Sequence, residues 1–268
     1  MAEIIHNLPF ADYLKSPSLS NSGIQRFRRS PAHYQAYLSQ PSKDTPALRF
    51  GRIIHTAILE PDKCKLAVAP ECDRRTKAGK DLWASFQADN IGADIVTDDE
   101  MAAIAGIQDS ISAHPAARAL LSHPGNAEAS FFWSDGMSGV NLKGRADYLR
   151  TDGIVVDLKT TEDASPQSFA KSVANYGYHF QAAIYQQGLA TCGIDVAGFV
   201  FLAVEKSPPY AVACYTLDAE AVGQAAYQLS GLLRLFAECQ QSGAWPAYST
   251  QIETLTLPRW AMNQEIEI

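Results

Sequence analysis

Apolar residues along this chain recur first at helical and later at strand spacing, and the changes of period mark the elements. In residues 46–61, PALRFGRIIHTAILEP, the positions Phe50, Ile53, Ile54, Ala57 and Ile58 form one helical face, and Pro61 ends the run. His55 sits one turn beyond Gly51 on that helix. Before it, SLSNSGIQRFRRSPAHYQAYLSQP offers Ser20 or Asn21 as the cap of one short helix and Pro31 as the start of another, with residues 1–19 as an arm leading in. Residues 71–90 are dense in charge and read as a mobile loop with a short helix. TDDEMAAIAGIQDSISAH restores helical spacing behind an acidic start, and Pro115 opens a second short helix to Leu121.

The period then shortens. AEASFFWSD, VNLKGRADYLR and GIVVDLKT read as strands. From about Ser168 to Thr191 the pattern is helical again, with a break at Gly177 and an end at Gly193. VAGFVFLAVEK and YAVACYTLD, on either side of Ser207-Pro208-Pro209, add two strands, and Ala219 to Gln241 a last helix. No repeat or low-complexity linker divides the chain. The pattern predicts one mixed α/β domain over residues 20–268, with a central sheet flanked by helices, behind the arm 1–19.

Composition narrows the class. With 47% hydrophobic residues, 268 positions suffice for a sizeable core. There is no run of eighteen apolar residues, and the first fifteen residues lack a signal-peptide pattern, so a cytoplasmic protein is expected. Five scattered cysteines without a CxxC pair predict neither a disulfide framework nor a zinc or iron–sulfur cluster. A net charge of −7 excludes a protein that coats nucleic acid through a uniformly basic surface, while leaving room for a local basic patch.

Within the apolar segment Ile154 to Leu158, Asp157 is out of place, and Lys159 follows it. A three-residue turn at Thr151-Asp152-Gly153 pairs Arg150 with Ile154, Leu149 with Val155 and Asp147 with Asp157, so two carboxylates and the Lys159 amine converge at one sheet edge. Opposed like charges need a cation or a salt bridge between them, and oxygen donors suit Mg²⁺ or Mn²⁺. Glu128, in the preceding strand, is a candidate third carboxylate or an ordinary exposed position. Tyr178, Gln181 and Tyr185 share a helical face, a pattern more often explained by packing, and D-x-K by itself is commonly a surface ion pair.

Taken in order, G-x-x-x-H (Gly51 to His55), G-x-x-D (Gly144 to Asp147), D-x-K (Asp157 to Lys159) and Q-x-x-x-Y (Gln181 to Tyr185) resemble the PD-(D/E)-x-K nucleases of the RecB-like type, most closely their RecE-like (exodeoxyribonuclease VIII) group. The similarity extends to SNSGIQRFRRSPAHYQAYL, FGRIIHTAILEP and the closing SGAWPAYS and LTLPRW, about residues 18 to 260. The resemblance implies a Mg²⁺-dependent enzyme, with Mn²⁺ as a substitute, that degrades one strand of linear duplex DNA from its 5′ end. The 3′ overhang it leaves would serve a RecT-like single-strand annealing protein. It implies Asp147, Asp157 and His55 as metal ligands, with Glu128 a less clear match, Lys159 as the residue that activates water, and Gln181 and Tyr185 as supports of the site.

The same resemblance implies a homo-oligomeric ring around DNA, a tetramer or a trimer. Such a ring needs positive charge only on its lining, for which Arg26, Arg28, Arg29, Arg49 and Arg52 are the candidates, one of them to hold a 5′-phosphate. Arg74, Arg75, Lys77 and Lys80 form a second basic cluster that fits a solvated loop as well. Competing expectations are a structure-specific endonuclease of the same fold, a catalytically silent DNA-end-binding subunit, and a metal-free hydrolase with paired carboxylates.

Overall fold

The structure is a computed structural model that describes residues 2–40 and 45–262. The first residue of the expected arm, the segment 41–44 and the last stretch of the expected domain, 263–268, lie outside the described residues. In chain order the elements are β1 (Ala2–Ile5), α1 (Phe10–Lys15), α2 (Asn21–Arg29), α3 (Pro31–Ser39), α4 (Pro46–Leu59), β2 (Leu66–Val68), α5 (Lys77–Asp89), β3 (Asp94–Val96), α6 (Asp98–Ala113) and α7 (Pro115–Ser122). There follow β4 (Gly125–Ser134), β5 (Asn141–Arg150), β6 (Ile154–Thr161), α8 (Pro166–Tyr176), α9 (Tyr178–Thr191), β7 (Gly198–Glu205), β8 (Val212–Tyr215), α10 (Ala219–Ser242) and α11 (Arg259–Met262).

Local chemistry sets many of these boundaries. Ser20 Oγ accepts the Gly23 N–H at the start of α2, and Ser30 Oγ accepts the His33 N–H ahead of Pro31 in α3. Thr97 and Glu100 form a reciprocal capping box on α6. Gly177, at φ 69°, is the left-handed joint between α8 and α9.

Six strands form one mixed sheet in the order β1-β4-β5-β6-β7-β8. Its one parallel pair, β6 with β7, is joined by the α8–α9 crossover, and the other pairings are antiparallel. Both faces are covered. Val155, Phe199 and Phe201 belong to the core shared with α2, α8, α9 and α10, while Val156, Leu158, Leu202 and Val204 belong to the core shared with α4, α6 and α7. Burial on both sides explains why β6 and β7 read as nearly continuous apolar runs. Among the described residues, no helix is long and apolar enough to cross a membrane.

Two segments depart from the sequence reading. The arm supplies the edge strand β1, paired with β4 from Ala2–Trp133 to Ile5–Ser130, and the helix α1. Residues 71–90 hold a 13-residue helix, α5, rather than a loop with a short one. Thr76 caps it, and the Arg74 guanidinium lies 3.4 Å over the Trp83 ring. The parallel pair β2–β3 that flanks it escaped notice because three-residue strands carry no readable alternation.

Gly144 shows why its motif needs a glycine. It pairs with Phe131 across the β4–β5 ladder, and a Cβ there would stand 2.2 Å from that ring. The ring cannot yield easily, being stacked on Trp133 at 5.5 Å and edge-on to Tyr185 at 5.2 Å. Gly144→Ala is expected to destabilise the fold by about 1–3 kcal/mol, read as a lower urea midpoint at unchanged slope.

Candidate active site

The β5–β6 hairpin builds the first half of the site. Its ladder runs through Leu149–Val155 to Tyr148–Val156, the expected register, and stops there. Asp147 and Asp157, the next pair, therefore do not face each other within a continuous ladder as the sequence reading had them. Asp147 Oδ2 instead accepts the Leu158 backbone N–H at 2.8 Å, filling the fork where the strands part. Asp157, fully buried, accepts from Gln181 Nε2 at 2.6 Å with Oδ1, while Oδ2 pairs with the Lys159 ammonium and takes no other hydrogen bond. The ammonium lies 4.9 Å from the centre of the Tyr178 ring.

Glu128 and His55 complete it. On β4, Ala127 pairs with Tyr148 and Ala129 with Ala146, which leaves Glu128 opposite Asp147 at φ 53°. A left-handed glutamate costs about 1–3 kcal/mol and takes the side chain out of the regular pleat. From α4, His55 Nδ1 reaches to 3.6 Å from Asp147 Oδ2. One ligand atom from each of His55, Glu128 and Asp147 lies within 4.8 Å of the others, a grouping able to hold a metal ion. Asp157 stands outside that trio, bound by Gln181 and Lys159. The trio lines a cleft of about 710 Å³ together with Lys143, Arg145 and Tyr185.

Electrostatics favour a cation here. Burial pushes the Asp147 carboxyl up to about 6, with Glu128 adding to the rise and Lys159 opposing it. Burial does the same to Asp157, also to about 6, against the pull of Lys159. For Lys159, burial works to lower the pKa, but Asp157 and Asp147 outweigh it and hold the ammonium above its ordinary value. Burial and the nearby Lys159 lower His55, which keeps the imidazole neutral and free to ligate. The site thus gathers three carboxylates and a neutral imidazole around Lys159 and Arg145. A carboxylate-rich, partly buried set of this kind fits a hard divalent cation.

The proposed DNA-contacting arginines are divided. Arg52 lines the cleft. Arg49 is paired with Glu100 and donates to the Ile95 carbonyl at 2.9 Å, which ties α4 to the start of α6. Arg26, Arg28 and Arg29 are exposed on α2 and do not line the cleft: Arg26 lies 5.8 Å from the Tyr37 ring, Arg28 stacks 3.9 Å over Phe180, and Arg29 donates to Tyr248 at 3.4 Å. Arg75 is paired with Asp73, and Lys77 and Lys80 project from α5. Tyr185 packs edge-on against Phe131 and is pushed well above its ordinary pKa by burial. Arg145 and Lys143, both lining the cleft, went unread, although Arg145 lies two residues before Asp147 on the same strand, where alternation places it on the same side.

A family model described as "PDDEXK-like domain of unknown function (DUF3799)" matches residues 20–258. The chain belongs to this family. A PDDEXK-like domain is what the motif resemblance implied, and the acid and the D-x-K on which that resemblance rests lie on β5 and β6. A solved structure from Eubacterium rectale, provisionally described as an exonuclease, shares the fold at a TM-score of 0.60 and 13% identity, over 97% of this chain and 99% of that one. A phage-related exonuclease from Haemophilus somnus 129PT covers 87% of this PDDEXK-like chain and 99% of its own, at 12% identity and a TM-score of 0.37, too low to carry an argument. No curated protein matches the sequence significantly.

The raised carboxyls make a pH prediction. Their folded pKa values of about 6 exceed the ordinary 3.8, so the stability present at low pH is lost as pH rises from about 4 through about 6. A divalent ion binds the ionised forms and offsets that loss. Saturating Mg²⁺ or Mn²⁺ is expected to raise the calorimetric Tm clearly at about pH 7.5 and little at about pH 5. Equal shifts at both would place the ion elsewhere.

Proposed function

We propose that the chain is a divalent-metal-dependent exodeoxyribonuclease that degrades one strand of linear duplex DNA from its 5′ end, leaving 3′ single strands for a RecT-like annealing protein in the cytoplasm. The observation that carries the reading is the His55–Glu128–Asp147 trio within 4.8 Å, set beside the Asp157–Lys159 pair of a PD-(D/E)-x-K fold. His55, Glu128 and Asp147 would hold Mg²⁺, or Mn²⁺ in its place, with Asp157 as the further carboxylate. Such an ion supplies charge against the phosphodiester and lowers the pKa of water.

The chain's own residues do the rest. Gln181 fixes the Asp157 carboxylate, and Asp157 in turn fixes the Lys159 amine. Lys159, held as an ammonium, orients the attacking water as a hydrogen-bond donor and sets positive charge beside the phosphodiester. Arg52, in the cleft wall, takes the phosphate backbone. The RecE-like motifs support 5′ polarity and a ring of several copies, a tetramer ahead of a trimer. With a net charge of −7, such a ring would meet DNA only through a basic lining.

Two measurements test this. Lys159→Ala is expected to cut degradation by about 10²–10⁴-fold while the chain still folds and binds DNA ends; full activity would overturn the assignment. With Mg²⁺, linear duplex labelled at the 5′ terminus should lose its label first, a closed circle should survive, and EDTA should stop the reaction. Cleavage of the circle would identify an endonuclease.

A further inference from the structure

One largely buried cation touches the ligand trio and the N-terminal segment at once. Arg145 Nε donates to Glu128 Oε2 at 2.5 Å, and Nη1 donates to the Leu8 carbonyl at 2.8 Å and to Ser130 Oγ at 2.9 Å. The rings of Phe10 and Tyr13 lie 5.7 and 5.9 Å from its guanidinium carbon. On the same strand Lys143 donates to the Tyr13 and Ser16 carbonyls at 2.9 and 2.7 Å, which secures the far end of α1 over the site.

We propose that Arg145 is a positioning residue: it holds Glu128 in the orientation in which the trio grips a divalent ion, and through Leu8 and Phe10 it makes the N-terminal segment part of that grip. The inference rests on the metal-binding reading of the trio and is independent of the exonuclease reading. A carboxylate has two oxygens and about four lone-pair sites, so Arg145 can engage Oε2 and leave the other oxygen for an ion. Glu128 needs such a hold because, at φ 53°, it sits in a gap of the β4–β5 ladder. Lysine at this position would keep the charge but lose the fork that reaches Glu128, Leu8 and Ser130 together.

Calorimetric titration of Mn²⁺ into the full chain reads this without DNA. Outer partners of metal ligands are worth about 10–100-fold in affinity, so Arg145→Ala is expected to weaken Mn²⁺ binding by about that factor, and Arg145→Lys by less. Phe10, half exposed at 50%, can be truncated with little risk to folding. Phe10→Ala should weaken Mn²⁺ binding in the native background and have no further effect in Arg145→Ala. Unchanged affinity in folded Arg145→Ala, or an equal loss from Phe10→Ala with and without Arg145, would overturn the proposal. Should Arg145→Ala fail to fold, Phe10→Ala and Arg145→Lys decide it: weakened binding in both supports the proposal, and unchanged binding in both refutes it. A chain whose variants behave as expected toward Mn²⁺ but which leaves DNA intact would refute the exonuclease reading and leave this one standing.

Discussion

Where β5 and β6 part beyond Tyr148–Val156, the Leu158 N–H turns to the Asp147 carboxylate at 2.8 Å and not to a backbone carbonyl. A buried N–H must find an acceptor, and here a charged side chain provides it, so the ladder can open without leaving an orphaned donor. The opening gives Asp147 its place beside Glu128 and His55. It also leaves Asp157 buried and Lys159 partly buried, paired with each other, with Gln181 donating to Asp157. Had the ladder continued, Asp147 would have been one more residue in a regular pleat.

Charge balance explains why the rest of the site is so closely tied. Three carboxylates share a small volume with two permanent cations, Lys159 and Arg145, each already committed to one acid. Burying an uncompensated carboxylate is costly, and the upward pKa shifts of Asp147 and Asp157 record that cost. An ion with two charges relieves what a single lysine cannot. The surrounding packing does not supply that relief; the paired aromatic and aliphatic layers on either face of β6 and β7 only hold the strands still.

Much of this was legible beforehand because the informative residues were periodic or oddly charged. The helix with His55, the break at Gly177, the strands of the hairpin and the Leu149–Val155 register follow from spacing and turn length. The fork at Asp147 and the left-handed Glu128 do not, because no local propensity favours them and only tertiary contacts enforce them. The arginines are hard to read for a similar reason. A guanidinium is equally suited to phosphate, an aromatic ring or a neighbouring acid, and Arg49 and Arg28 found the latter kinds of partner inside the chain. Glu128 was recognisable only as a third acid, with its partner Arg145 hidden in plain sequence.

The parallel pairing of β6 with β7 has a temporal side. Gln181 reaches Asp157 only once the α8–α9 crossover has folded back and the next strand has docked, a non-local closure that small hairpins do not require. A ribosome-bound chain that has emerged only as far as the D-x-K hairpin thus has its acids but lacks the helix that steadies one of them. A centre built this way is unfinished until most of its polypeptide has been made, so a half-synthesised copy carries the acids without the contact that orders them.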